Sequence, residues 1–245
     1  MMHEDHRPAV TGMPAVKAEE LEVWYGHANA LQGVAVEFHA GKINAIVGPN
    51  GAGKSSLLLA MYGAIPSTGR VFVNGQDIST LSPSERAREG IGFVPQGRQI
   101  FPTLTVRENL SVFAEVLNVG KAEVDNALGR FQRLEERSNT LAGNLSGGEQ
   151  QMLAVARALM TRSSVLLFDE MATGLAPLIV EQLLGAAKEL ADEGATVVLA
   201  EASIGAIRSV VDRGYVLMRG AVGEQSESGG ADLEERYRHA MGISG

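Results

Sequence analysis

Residues 48–55 read GPNGAGKS and satisfy the pattern G-x-x-x-x-G-K-[ST] in full. Glycines at Gly48, Gly51 and Gly53 let the backbone curl so that its N–H groups converge on an anion, with Pro49, Asn50 and Ala52 completing the turn. Lys54 supplies a cation for terminal phosphates, and the Ser55 hydroxyl is a magnesium ligand of the right hardness. The loop follows a strand-like run, KINAIV, and opens a helical run whose first turn carries Ser56. The positive end of that helix adds to the anion site. The ligand implied is a nucleoside triphosphate with magnesium. A dinucleotide loop is a poor rival, because no G-x-G-x-x-G follows a strand.

Two further segments carry chemistry. Val165–Glu170 reads VLLFDE, a buried strand ending in two carboxylates, where α/β sheets place their ligands. Asp169 suits magnesium held through its water shell, and Glu170 suits polarising the water that attacks a γ-phosphate. Alone, an apolar run ending in Asp-Glu is an ordinary strand end; beside a complete phosphate loop the catalytic reading is favoured. Leu145–Gln150 reads LSGGEQ, and Ser146, Gly147 and Gly148, with Glu149, form a second anion site at a helix start. One nucleotide does not need two phosphate sites in one chain.

The elements that must position these residues follow an alternating pattern, which argues for α/β architecture with a largely parallel sheet. A β-rich opening covers about 18–38. Further strands are expected at 42–47, 70–73, 91–94, 165–168, 195–200 and 215–218. Helices are expected at 106–117, 148–161 and 178–193, with a terminal helix at 232–241. The stretch from about 97 to 145 is rich in helix formers and reads as a helical insertion. Residues after Gly220, including GEQSESGG, read as a loop. Residues 1–16 read as a flexible tail, where His3, Glu4, Asp5 and His6 are better explained as a solvated terminus than as a metal site. Residues 17–245 read as one domain.

Composition narrows the function. The chain of 245 residues carries 21 basic and 29 acidic residues, a formal net charge of -8. Its arginines are scattered, so no clustered basic face suits nucleic acid. With no cysteine, disulfides and thiol catalysis are excluded. No apolar run approaches the roughly 18 residues of a membrane-spanning helix, and the N-terminus lacks the pattern of a signal peptide. A membrane role would come through a partner.

The order GPNGAGKS, then LSGGEQ, then VLLFDE resembles the ATPase subunits of ABC transporters, and the likeness extends over about 18–218. It implies a P-loop NTPase fold: a RecA-like core sheet, an N-terminal antiparallel β section and a helical subdomain inserted at approximately 97–160. It implies ATP and Mg2+, with LSGGEQ closing over ATP held by a second ATPase subunit, identical or not. Gln96, in FVPQGRQIF, matches the Q-loop glutamine that reaches magnesium and the attacking water. Tyr25 stands where the family stacks a ring on adenine, although Tyr25 or Trp24 also reads as a simple strand residue. The insertion is where the family docks its transmembrane permease subunits, which in importers receive cargo from a substrate-binding protein. The strings PQGRQIFPTLTVRENL, LSGGEQQMLAVARALM, TGLAP and DRGYVLMRG are similar to importers of branched-chain amino acids, and to the related urea and amide importers. The expected location is the cytoplasmic membrane face.

The resemblance breaks at three places. Ala202 stands where most members carry a switch histidine and the nearest branch often carries glutamine. Met171 replaces the usual proline, and Ala176, in the D-loop Gly174-Leu175-Ala176, replaces aspartate. Slow hydrolysis by a homodimer is expected. Two alternatives follow: a hydrolysis-impaired subunit of an asymmetric pair, or a non-transport ABC ATPase, which the acidic single unit disfavours.

Overall fold

A computed structural model describes residues 14–97, 99–161 and 163–243. The chain runs β1 (Val16–Tyr25), β2 (Ala28–Phe38), β3 (Lys42–Val47), α1 (Lys54–Tyr62), β4 (Thr68–Val73), β5 (Gln76–Asp77), α2 (Pro83–Arg88) and β6 (Ile91–Val94). It continues through α3 (Val106–Leu117), α4 (Lys121–Gly129), α5 (Gln132–Glu136), a 3-10 turn (Ala142–Asn144) and α6 (Gly147–Leu159). The last elements are β7 (Val165–Asp169), α7 (Pro177–Asp192), β8 (Thr196–Glu201), β9 (Arg213–Met218), β10 (Ala221–Ser226) and α8 (Gly230–Ala240).

Two sheets form. One is antiparallel with order β2-β1-β4-β5; the other has order β10-β9-β3-β8-β7-β6. In the second, β9, β3, β8, β7 and β6 pair in parallel, and β10 adds an antiparallel edge. The central strands β7 and β8 are buried along their whole length, as a parallel sheet covered on both faces requires. Strand alternation then divides their side chains between two apolar layers. Val165 and Leu167 of β7, Val198 and Ala200 of β8 and Ile46 of β3 join α1 and the inner face of the antiparallel sheet. Leu166, Phe168, Val197, Leu199 and Val47 join the helices α3, α4, α6 and α7 on the other side. The phosphate-loop helix α1 is therefore clamped between two sheets.

Three helix starts are fixed by reciprocal caps of the form Ser/Thr-x-x-Glu: Ser82 with Glu85, Thr105 with Glu108, and Ser146 with Glu149. Asn109 of α3 is fully buried and donates its side-chain amide to the carbonyls of Phe101, Leu104 and Thr105, while accepting from the Phe101 amide. That pins the stretch following β6 onto the helical region.

The structure corrects three expectations. The polar segment after Gly220 is a strand, β10, not a loop: Ala221 pairs with Met218 around the two-residue turn Arg219-Gly220, both at positive φ. An edge strand tolerates polar residues, and the twist of such a turn suits a hairpin. Val16, expected in the tail, is instead fully buried and pairs with both Phe38 and Val73. The histidines and acids at 3–6 lie outside the described residues. The hairpin strand β5 and helix α2 were not anticipated, although Asn74-Gly75, also at positive φ, is a strong hairpin signal.

Candidate functional site

The phosphate loop leaves β3 and is seated by close backbone contacts. A Cβ at Gly48 would lie 2.1 Å from the Leu217 carbonyl oxygen, and one at Gly53 would lie 2.6 Å from that of Ala30. Gly51 and Gly53 take φ of 80° and 106°, the left-handed region open to glycine. The Gly220 amide donates to Ala52 at 2.8 Å, so the β9–β10 turn buttresses the loop from behind. Ala52 is thus a backbone anchor.

Lys54 is 5% exposed, and its ammonium donates to the carbonyls of Gly48 and Pro49 at 2.8 and 3.1 Å. Burial lowers its pKa, opposed by the nearby carboxylates of Glu170, Asp169 and Glu201. Ser55 donates its hydroxyl to Asp169 Oδ1 at 3.0 Å, joining the start of α1 to the end of β7. Burial raises the Asp169 pKa, with the Glu170 charge adding to it and the Ser55 hydrogen bond opposing it. Glu170 follows with φ of 52°, its amide donating to Ala200 at 2.9 Å. The Gln96 side-chain amide donates to Glu170 Oε2 at 2.6 Å.

Lys54, Ser55, Gln96 and Glu170 share one cavity of about 500 Å³, walled also by Tyr25, Ala30, Asn50, Gly51, Gly53 and Ser56. Tyr25 is half exposed at the mouth, its hydroxyl 3.4 Å from that of Ser56. The neighbouring Trp24 indole turns instead to Glu22 at 3.4 Å.

The donor set fits magnesium. Among the described residues no three histidine, aspartate or glutamate side chains converge on one point. What does converge is one hydroxyl and one carboxylate, Ser55 and Asp169, beside a loop of backbone amides. Magnesium is commonly held in this way, by one or two protein oxygens with phosphate and water supplying the rest.

Of the expected residues, Tyr25, Asn50, Gly51, Gly53, Lys54, Ser55, Ser56, Gln96 and Glu170 come together in the cavity wall, with Asp169 attached through Ser55. Ser146, Gly147 and Gly148 do not belong to that wall. They start α6, whose close packing at Gly148 leaves no room for a Cβ against Ile179, at 2.9 Å. Glu149 is engaged within the chain. Its carboxylate is 4% exposed, accepts the Ser146 amide at 2.8 Å and pairs with Arg137 at 2.9 Å and Arg133 at 3.2 Å. It caps the helix and holds the two arginines.

Glu201 escaped the sequence reading. It ends β8, is 2% exposed, and accepts from the Ala172 amide at 2.8 Å and the Thr173 hydroxyl at 3.1 Å. Its own carbonyl accepts the Gly48 amide at 3.3 Å. One residue therefore ties the phosphate loop to the chain following Glu170. The signal was the carboxylate at the end of TVVLAE, which is unusual on so buried a strand.

Comparison with known proteins agrees with this geometry. Residues 31–173 match the family described as ABC transporter. A high-affinity branched-chain amino acid transport ATP-binding protein, BraG of Pseudomonas aeruginosa, is 40% identical over 207 residues, covering 83% of this chain and 89% of that protein. A probable branched-chain amino acid transport ATP-binding protein, LivF of Archaeoglobus fulgidus, is 36% identical over 211 residues, covering 84% and 89%. A methionine import ATP-binding protein, MetN 1 of Bacillus cereus, is 33% identical over 206 residues, covering 81% and 60%. Among solved structures, a nucleotide-free ATP-binding cassette from an ABC transporter superposes with a TM-score of 0.84 at 26% identity, covering 94% of this chain and 98% of that one. Phosphate loop, paired carboxylates, fold and relatives agree: the chain belongs to the ABC transporter family, as one of its ATPase cassettes.

Proposed function

We propose that this chain is the ATP-hydrolysing subunit of an importer of branched-chain amino acids. The observation that carries the reading is the Gln96–Glu170 hydrogen bond beside Lys54 and Ser55, in a cavity walled by the phosphate loop. A carboxylate beside a phosphate cradle is suited to act as a general base toward water, which supports the reading. In this reading the amides of 48–55 and Lys54 hold the phosphates, Tyr25 covers the base, and Glu170 takes the proton of the attacking water. Ser55 and Asp169, with Gln96, would hold magnesium, which supplies charge neutralisation to the phosphates. Two subunits pair so that Ser146–Gly148 of each faces ATP on the other, and closure drives attached permease subunits at the membrane surface. Among the described residues no helix is long and apolar enough to cross a membrane.

The two relatives named for branched-chain amino acid transport support the cargo, and the methionine importers at lower identity define the main alternative. Uptake of leucine, isoleucine and valine against methionine, in vesicles containing this subunit and its permeases, tests it. Methionine uptake alone would overturn the assignment.

A second reading has a specific support. Ala202, the residue after Glu201, has no side-chain hydrogen-bonding group at the position where the family resemblance expects a switch residue. This favours a hydrolysis-impaired subunit that closes on ATP beside a more active partner. Magnesium-dependent turnover by the purified homodimer at ordinary family rates would exclude it.

A further inference from the structure

Helix α8 lies beyond every motif discussed above, yet one of its faces is turned toward the segment that leaves the nucleotide site. Gly230, Leu233, Glu234 and Tyr237 recur at helical spacing on that face. Gly230 approaches the chain so closely that a Cβ would lie 2.1 Å from the Arg208 carbonyl oxygen. Leu233 is fully buried and fills the space that a Cβ on Gly214 would need, 2.4 Å away. Glu234 pairs with Arg208 at 3.0 Å. The last contact reaches furthest: the Tyr237 hydroxyl donates to the Ala202 carbonyl at 3.1 Å.

Ala202 sits where two ties to the site converge. The preceding carbonyl accepts the Gly48 amide, and the preceding side chain holds Ala172 and Thr173. Beyond it, residues 203–210 form neither strand nor helix and are held by single turns, Ile207 to Ile204 and Val210 to Ile207. Alanine brings no side-chain hydrogen bond of its own, so the backbone carbonyl is what the protein can grip at this position.

We propose that Tyr237 is a positioning residue of the nucleotide site: its hydroxyl fixes the Ala202 backbone and thereby the end of β8 against the phosphate loop. The C-terminal helix then acts as a strut that does for this chain's switch position what a polar side chain would otherwise help to do. The catalytic consequence rests on the ATPase reading; the backbone consequence does not.

The test uses Tyr237→Phe, which keeps the ring and removes the hydroxyl. Backbone hydrogen exchange on the nucleotide-free protein is expected to quicken by about three- to tenfold across 202–204 and to stay unchanged in β3 and β7. Steady-state hydrolysis is expected to lose about three- to tenfold in kcat with KM for ATP unchanged. Glu234→Gln, which removes the Arg208 pair of the same helix, is expected to retain wild-type kcat. Unchanged exchange at 202–204 overturns the proposal. So does an unchanged kcat in an active enzyme, or an equal loss in Glu234→Gln, which would assign the effect to helix docking. A wild-type protein that binds no ATP would defeat the functional reading instead, with the exchange result still deciding the strut.

Discussion

The side-chain amide of Gln96 donates to the carboxylate of Glu170 at 2.6 Å, bridging the loop after β6 to the end of β7. Gln96 comes from the stretch that Asn109 pins to the helical region, and Glu170 stands beside the phosphate loop. On the proposed reading, this bond is where a displacement of the helical region would reach the carboxylate assigned to the attacking water. Glu170→Gln is expected to reduce turnover at least about a hundredfold, the scale of a lost general base, while ATP binding survives. Gln96→Ala is expected to lower kcat about tenfold without unfolding the site. Turnover and equilibrium ATP binding measured on both variants check this. A Glu170→Gln protein with more than a tenth of wild-type activity would refute the assignment.

Asp169 is 5% exposed and accepts the Ser55 hydroxyl at 3.0 Å, so its role is separable from that of its neighbour. Asp169→Asn preserves the acceptor for Ser55 and removes the charge. It is expected to raise the magnesium concentration for half-maximal turnover by about 10- to 100-fold, as loss of a ligand-orienting group does elsewhere. ATP affinity without magnesium should change little. A metal titration of turnover decides it, and an unshifted curve would remove Asp169 from the metal site.

What the sequence disclosed was what is local. The phosphate loop depends on glycines at fixed offsets, and Gly51 and Gly53 occupy the left-handed conformations that the pattern implies. Strand β7 was legible because a continuously apolar run ending in two carboxylates has few other uses in a parallel sheet. Glu149 shows the limit: Ser-x-x-Glu is also a capping box, and the structure shows that use, with the carboxylate buried beside Arg137 and Arg133. The Glu201 carboxylate stood in view at a strand end, but its role and that of Tyr237 were hidden because their partners lie 28 or more positions away in sequence. Strand β10 was hidden by its polar side chains, since pairing with β9 is a backbone property.

Stability carries a pH signature from Glu201. Burial pushes its carboxyl from the ordinary 4.5 up to about 7, with the hydrogen bonds from Ala172 and Thr173 lowering it and the charges of Glu170 and Asp169 raising it. Between those two values the folded protein retains a proton that the unfolded chain releases. Stability is therefore full below the lower value, falls as pH rises through the window, and levels off above the upper one. The loss is on the order of 3 kcal/mol. Glu201→Gln, whose amide can still accept from Ala172, is expected to flatten this dependence and to gain stability over wild type at pH 8. Denaturant unfolding of the nucleotide-free proteins at pH 5 and pH 8 measures the difference; parallel profiles would show that Glu201 does not titrate in this range.

Ala202 offers the opposite experiment, a gain. It is half-buried at the end of β8, with Glu201 tied to the phosphate loop on one side and the exposed Ser203 on the other. The family resemblance places a histidine or glutamine here, a donor aimed at the charge that develops on the transferred phosphate. Removing one such donor elsewhere costs several kcal/mol, but Ala202 stands in a chain adapted to its absence, so only part should be recovered. Ala202→His is expected to raise kcat about tenfold, with KM for ATP near the wild-type value, because a donor used mainly in the transition state leaves ground-state binding alone. Combining it with Glu170→Gln should abolish the gain, since the added donor assists a reaction that Glu170 must begin. A rise that survives Glu170→Gln would mean the new histidine had become a base of its own. No rise at all would place the switch function elsewhere in the assembly.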